Sequence, residues 1–418
     1  ASDVYKRQVL SMVTCSFIPG GVAAAKGFTA AGVHCGIRKN KSKRDLALIS
    51  ADCLCNAAAV YTQNLVCGAP VTVTKQNLAD GKARAVVCNS GIANTCNADG
   101  VEKARGMCEI TAKALGIAPT DVIVASTGVI GQPLDLSPVE QGMPQLIGEL
   151  SKAGSDHAAQ AIMTTDTRKK EFALTFMLGG KGCTIGAISK GSGMIHPNMA
   201  TMLCFITTDV AISTPMLQKA LSAAVADSFN MLSIDGDTST NDMACILASG
   251  KAENREIVSE NEDFALFTQM LSTLLIRIAR EMARDGEGAT KLVICEVSGA
   301  KDQDTARTVA KSVICSSLVK TAMFGADANW GRVLCAMGYA GAEIDVTKAD
   351  VSFASPAGRV EVCQNGAGIP FSEERAKQVL LEEEIKIDVR LHDGEAHAEA
   401  FGCDLTYDYV KINGDYRT

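Results

Sequence analysis

Lys190-Gly-Ser-Gly-Met-Ile-His-Pro-Asn-Met-Ala-Thr-Met-Leu-Cys-Phe-Ile-Thr-Thr208 joins two kinds of sequence without a break. Residues 203–208 form a short continuous apolar run, the pattern of a buried strand. Residues 179–193 are dense in glycine, and no regular period appears before Leu203. The stretch therefore reads as a long loop feeding straight into a strand, and loops of that length in compact domains usually carry function.

Outward from that junction, residues 71–74, 85–88, 121–126, 174–178 and 291–297 also read as strands. Ser213 or Thr214 can cap a helix reaching about residue 229, with Pro215 in the first turn, where its missing N–H does no harm. Phe264, Phe267, Met270, Leu271, Leu274, Leu275, Ile278 and Met282 follow helical i, i+3, i+4 spacing, and Gly286 stops that helix. Further helices are expected over residues 305–320 and 372–384, and Asp393-Gly394 signals a hairpin between strands. Strands and helices mix rather than strictly alternate. The expected class is a mixed α/β (α+β) fold, with layered mixed sheets flanked by helices in two domains.

Composition excludes several functions. The 418 residues are 47% hydrophobic and 21% charged, the balance of a globular protein rather than a disordered one. A formal charge of −7 argues against a large nucleic-acid or anionic-membrane footprint. The most apolar helical run, residues 271–279, is interrupted by Ser, Thr and Arg and is too short to span a bilayer. Sixteen cysteines occur singly, the closest being Cys53 and Cys55, and none forms a CxxC pair. They read as buried free thiols in a reducing compartment, the cytoplasm by default. Residues 1–11, ahead of Met12, have no apolar period and are treated as a non-native-looking leader outside the fold.

Familiar chemical motifs fit poorly. Neither Lys181 nor Lys190 completes a phosphate-binding GxxxxGK[ST] loop, so the glycines there are read as backbone turns. Asp235-Gly-Asp-Thr-Ser-Thr-Asn-Asp242 begins like a calcium loop, but Thr240 replaces the turn glycine and Ile246 the bidentate glutamate. A polar turn with local side-chain-to-backbone bonds is the better account. No GxSxG elbow exists, and His196, a lone histidine, reads as structural. Asn89-Ser-Gly91 and Ser126-Thr-Gly128 each end an apolar strand; such turns also offer backbone N–H groups of the kind an oxyanion hole uses. The remaining candidate is Ala200-Thr201. Cutting the bond before a threonine frees an α-amine beside its own hydroxyl, and that amine serves as the base the hydroxyl otherwise lacks. With a reference pKa of 7.7–8.0, roughly one such amine in seven is neutral at pH 7, and burial raises that share.

The stretch from Lys190 to Leu203 resembles the processing signature of the ornithine acetyltransferase family, also called glutamate N-acetyltransferase. Other pieces agree in order: Lys26-Gly-Phe, Ala30-Ala-Gly-Val-His34, Asn89-Ser-Gly, Ser126-Thr-Gly-Val-Ile-Gly131, Met163-Thr-Thr-Asp-Thr167, Asp235 to Asp242, Asp285-Gly-Glu-Gly-Ala-Thr290, Gly325-Ala-Asp-Ala-Asn-Trp-Gly-Arg332, and Tyr409-Val-Lys-Ile-Asn413 through Thr418. The resemblance runs from about residue 17 to the last, with Ile92 standing where relatives commonly have Asn.

That resemblance implies self-cleavage between Ala200 and Thr201, giving an α chain (12–200) with the oxyanion hole and substrate loops and a β chain (201–418) that begins at the nucleophile. It implies a ping-pong acetyl transfer from N2-acetylornithine to glutamate through acetyl-Thr201, within arginine biosynthesis. Thr127 and Gly128 match the family's oxyanion pair, and Thr164, Lys190, Thr201, Glu287, Asn413 and Thr418 its substrate contacts. N-acetylornithine carries a carboxylate and a distant ammonium, so Lys190 and Glu287 suit the two ends, and a tail ending at Thr418 suits closure of the site. No cofactor is implied; acetyl-CoA is a candidate co-substrate, although no CoA fingerprint occurs. The partners implied are the small-molecule substrates and the chain's own two halves, in an α2β2 heterotetramer, with no nucleic acid and no membrane. An autoprocessed aminopeptidase or amidase using the same threonine is the alternative enzyme, and a binding protein that kept the fold is the non-enzymatic one.

Overall fold

The computed structural model describes residues 15–196 and 202–415. Residues 1–11, Ala200, Thr201 and Thr418, which the sequence singles out, lie outside the described residues.

The described strands, in chain order, are β1 (Ser16–Ile18), β2 (Phe28–Val33), β3 (Leu46–Tyr61), β4 (Lys82–Ile92), β5 (Val122–Val129), β6 (Lys170–Leu178), β7 (Lys181–Lys190), β8 (Leu203–Thr208), β9 (Leu232–Ser233), β10 (Met243–Ala248), β11 (Leu292–Ala300), β12 (Asp350–Ser355), β13 (Gly358–Gln364), β14 (Ala367–Gly368), β15 (Glu384–Arg390) and β16 (Ala396–Cys403). They form two mixed sheets. One has the order β1-β6-β7-β8-β10-β3-β4-β5, with β2 added on β3; the other runs β14-β13-β12-β15-β11-β16-β9. All six residues of β8 are buried, as their unbroken apolar run requires.

The helices used below are α1 (Ala69–Asn77), α2 (Thr214–Ala226), α3 (Glu262–Arg284), α4 (Gln303–Cys315), α5 (Ser317–Phe324), α6 (Glu373–Leu380) and α7 (Tyr407–Gly414). Helix α3 lies between the sheets, touching β6 and β7 on one side and β11 and β16 on the other. Its eight periodic apolar residues are all buried. The side chain of Asn261 accepts from Phe264 N and starts the helix. The layered, helix-flanked mixed architecture matches the expectation. No described helix is long and apolar enough to cross a membrane.

Four local expectations are corrected. Residues 71–74 are helical: Pro70 in the first turn and the extended Gly68 ahead of it start α1, and tertiary burial of Val71 and Val73 overrides their β preference. The glycine-dense segment 179–193 is not a loop throughout, because Gly179 and Gly180 make a positive-φ turn and β7 comes directly after it. A Cβ at Gly186 would sit 1.8 Å from Gly21 O, so this glycine permits close approach inside the sheet. The helix expected over 305–320 divides at Ser316, whose hydroxyl accepts from Val319 N and caps α5. Finally, Asp393-Gly394 does not join a hairpin: β11 lies between β15 and β16, parallel to the first and antiparallel to the second. The cysteine reading holds for most positions, but Cys67, Cys96 and Cys335 are exposed.

Candidate active site

Strand β7 ends at Lys190, which pairs across the sheet with Leu203, the first residue of β8. The Lys190 side chain reaches Thr127 at the C-terminal ends of the parallel pair β4 and β5, where Gly91 faces Gly128 in register. Gly128 has φ 134°, and a Cβ there would meet the Gly91 carbonyl carbon at 2.2 Å. Only glycine fits so tight a crossing. The result is a cavity of about 320 Å³. Thr127, Gly128, Thr164, Lys190, Glu287 and Asn413 all line it. Six residues scattered over the sequence thus meet at one place, beside the strand that begins two residues after Thr201.

The charges in the cavity are held apart. Lys190 Nζ donates to Thr127 Oγ1 at 3.3 Å, and burial lowers its pKa against the pull of Asp166. Glu287 is 8% exposed, its N–H donates to Ser192 O, and its carboxylate accepts from Asn413 Nδ2 at 2.8 Å. Gly193 lies flat against that carboxyl group, where a Cβ would come within 2.4 Å of its oxygens. One ammonium and one carboxylate, each partly shielded from water, suit a small ligand bearing both charges.

The sequence model of the ArgJ family matches residues 29–418. The chain belongs to the ArgJ family. Among its relatives, "Arginine biosynthesis bifunctional protein ArgJ 1" of Clostridium acetobutylicum is 50% identical over 392 residues, covering 94% of this chain and 96% of that protein. The ArgJ protein of Caldanaerobacter subterraneus is 48% identical over 402 residues, 96% of this chain and 99% of the relative. A solved chain of the ArgJ protein from Bacillus halodurans aligns at 47% identity with a TM-score of 0.48, over 50% of this chain and 97% of that one.

Beneath the cavity of this ArgJ-family chain lies a charged framework to which sequence reasoning assigned no role. Lys170 is 1% exposed, and its ammonium bridges Asp166 Oδ1 at 2.6 Å and Asp285 Oδ2 at 2.5 Å. Asp166 also accepts from Thr164 N and Gly191 N, and Asp285 from the N–H groups of Thr167 and Arg168 and the Thr167 hydroxyl. This network fixes Thr164, the start of the segment after Lys190, and the turn leading to Glu287. Burial alone would raise the Asp166 pKa, but the Lys170 ammonium, aided by Lys190, holds it down to about 2. Asp242, only 2% exposed, behaves oppositely: burial pushes its carboxyl well above the ordinary value despite Ser239 and Lys190. The available signal is the pair Asp166 and Lys170, the first inside a family motif and the second just past its end, at helical i, i+4 spacing yet off any helix.

The other candidates fall away from the cavity chemistry. The turn at 235–242 shows the expected local bonds, with Asp237 N donating to Asp235 Oδ1 at 3.3 Å and Asn241 N to Ser239 Oγ at 3.2 Å. Asp235 also accepts from the distant Met194 N (2.6 Å) and Ile195 N (2.8 Å), which anchors the loop rim. His196 is half-buried against Ser233 Oγ and Cys315, with burial lowering its pKa to about 4, and it faces a different depression. Ile92 contributes a carbonyl that accepts from Asn89 Nδ2, which suits its lack of a polar side chain. A wider trough of about 680 Å³ on the second sheet is lined by paired charges such as Arg359 with Asp388 and contains none of the predicted site residues.

Proposed function

We propose that this chain transfers the acetyl group of N2-acetylornithine to glutamate, using Thr201 after self-cleavage between Ala200 and Thr201. The Thr201 hydroxyl attacks the acetamide carbon while its own α-amine takes the proton. The C–N bond then breaks, and ornithine leaves with that proton on its amine. The glutamate α-amine attacks the resulting ester, giving N-acetylglutamate and restoring the hydroxyl. Thr127 and Gly128 stabilise the oxyanion of each tetrahedral intermediate. Thr164, Lys190, Glu287, Asn413 and Thr418 hold the substrates, with the ammonium and the carboxylate meeting their opposite charges.

One observation carries this reading: Lys190, Thr127, Gly128, Thr164, Glu287 and Asn413 line one cavity beside the first residue of β8. Membership of the ArgJ family, whose relatives bear the word "bifunctional" in their names, supports it and supports acetyl-CoA as a second donor to the same hydroxyl. We place the enzyme in the cytoplasm, as an α2β2 assembly of chains 12–200 and 201–418, with no resident cofactor.

The test is intact mass spectrometry of purified protein alongside an assay of ornithine release. Two chains, the second beginning Thr-Met-Leu, together with glutamate-dependent release of ornithine, are expected, and Thr201→Ala should remain a single inactive chain. An uncleaved chain with full transfer activity would overturn the mechanism, and rapid release without glutamate would favour the amidase alternative. CoA release with glutamate as acceptor reads out the second donor.

A further inference from the structure

The cavity wall made by the ends of β4 and β5 is held by a residue from elsewhere in the chain. Asn241 is 7% exposed, and its Nδ2 donates to Ala93 O at 2.6 Å and Ser126 O at 2.9 Å. Its Oδ1 accepts from the hydroxyls of Thr95 (2.5 Å) and Thr240 (2.6 Å). Two carbonyls on one side and two hydroxyls on the other leave only this orientation of the amide, with both of its N–H groups used. Gly68 closes the far side, where a Cβ would come 2.5 Å from Asn241 Oδ1. Asn241 itself also lines the cavity.

The two carbonyls matter because each is tied to backbone at the catalytic turn. Ser126 O belongs to the same planar peptide as the Thr127 nitrogen, so fixing one fixes the other. Ala93 comes directly after Ile92, the last residue of β4, which lies in register with Val129 just past Gly128. We propose that Asn241 is a positioning residue: it clamps the ends of β4 and β5 together, and so sets the orientation of the Ser126–Thr127 peptide and of the Thr127 side chain that meets Lys190. The inference rests on the acetyl-transfer reading for its kinetic consequence, and its geometry also makes a prediction that needs no substrate. Residue 241 lies after the proposed cleavage point and residues 93, 95 and 126 precede it, so the clamp ties one half of the chain to the catalytic turn of the other.

Three variants separate positioning from bulk stability. Asn241→Asp keeps the shape and the acceptor but sets a carboxylate against two carbonyls. Thr95→Val removes one donor to Asn241 Oδ1 without changing volume. Thr74→Val is the control: it removes two buried bonds to Val124 on the same strand, away from the cavity. Cleaved Asn241→Asp enzyme should lose at least tenfold in kcat with KM for N-acetylornithine within threefold of wild type. Thr95→Val should lose less, and Thr74→Val should lower the melting temperature with kcat unchanged. Independently of turnover, hydrogen exchange of residues 126–130 should accelerate in Asn241→Asp and Thr95→Val but not in Thr74→Val. If wild type transfers no acetyl group yet exchange responds as stated, the function falls and the clamp stands. Wild-type kcat in Asn241→Asp, an equal kcat loss in Thr74→Val, or unchanged exchange in Asn241→Asp would each overturn the clamp.

Discussion

Replacing Lys170 by methionine removes the cation that, among the described residues, forms ion pairs with both Asp166 and Asp285, while keeping most of the buried volume. Its ammonium lies 2.6 Å and 2.5 Å from their carboxylates, with all three side chains no more than 3% exposed. Stripping one partner from a buried ion pair costs about 3–5 kcal/mol, because the remaining charge is left without compensation. Asp166 supplies a check on that scale. The gap between its folded pKa of about 2 and its ordinary 3.8 is worth about 2 kcal/mol. Because the folded value is depressed, this contribution is complete above pH 3.8 and is lost as pH falls from there towards 2. In Lys170→Met the sign reverses: desolvation without the ammonium lifts the carboxyl pKa above its unfolded value, so acid relieves the penalty. Urea denaturation followed by circular dichroism, in a Thr201→Ala background that keeps one continuous chain, should show a deficit of about 3–5 kcal/mol at pH 7. The deficit should narrow on going to pH 5. A variant as stable as its parent at pH 7, or one whose deficit is the same at both pH values, would refute the account of the framework.

Other consequences can be measured separately. On the proposed reading, Lys190→Met and Glu287→Gln each delete one charge-assisted substrate contact worth roughly 1.5–3 kcal/mol, so kcat/KM for N-acetylornithine should fall by at least about tenfold in each. Unchanged specificity in both would remove them as anchors. Gly128→Ala forces a methyl group onto the Gly91 carbonyl at a φ of 134° and should abolish turnover and lower the melting temperature; activity within twofold of wild type would contradict the geometry. Alkylation by iodoacetamide at pH 8, mapped by peptide mass, should reach Cys67, Cys96 and Cys335 first. Cys88 and Cys204, whose thiols burial pushes up to about 12, should stay unmodified until the protein unfolds, and equal labelling rates would show the core to be more open than described.

What was legible in the sequence depends on how local each signal is. Helix α3 declares itself because its buried face repeats along one element, and β8 because both of its faces are apolar. Glycine misled where it served packing: Gly186 is small so that Gly21 can approach, which looks like looseness when read along one strand. The turn at Asp393-Gly394 is real, but Leu391 N and Asp393 N bond to Ser298 O and Gly299 O, so the chain turns around β11 and no hairpin forms. Six cavity residues were found through family motifs. Asp166, Asp285 and Asn241 sat inside those same motifs and Lys170 just beyond one, yet their roles stayed hidden. Their partners lie as far as 148 residues away, and a buried charge balance or an amide that bridges two carbonyls leaves no periodic trace.

The placement of β8 explains how the proposed cut can activate the protein without dismantling it. The strand begins two residues after the proposed break and is bonded on both sides, antiparallel to β7 and parallel to β10, so it is interior to the sheet. Polar crosslinks reinforce that seam: Asp285 on Thr167, Asp235 on Met194 and Ile195, and Asn241 on Ala93 and Ser126 each join residues after position 201 to residues before it. These crosslinks are the same contacts that position the cavity wall and the segment after Lys190. Stability across the seam and geometry of the site therefore depend on one set of bonds, and a mutation that weakens the union of the halves should disturb the cavity before it separates them.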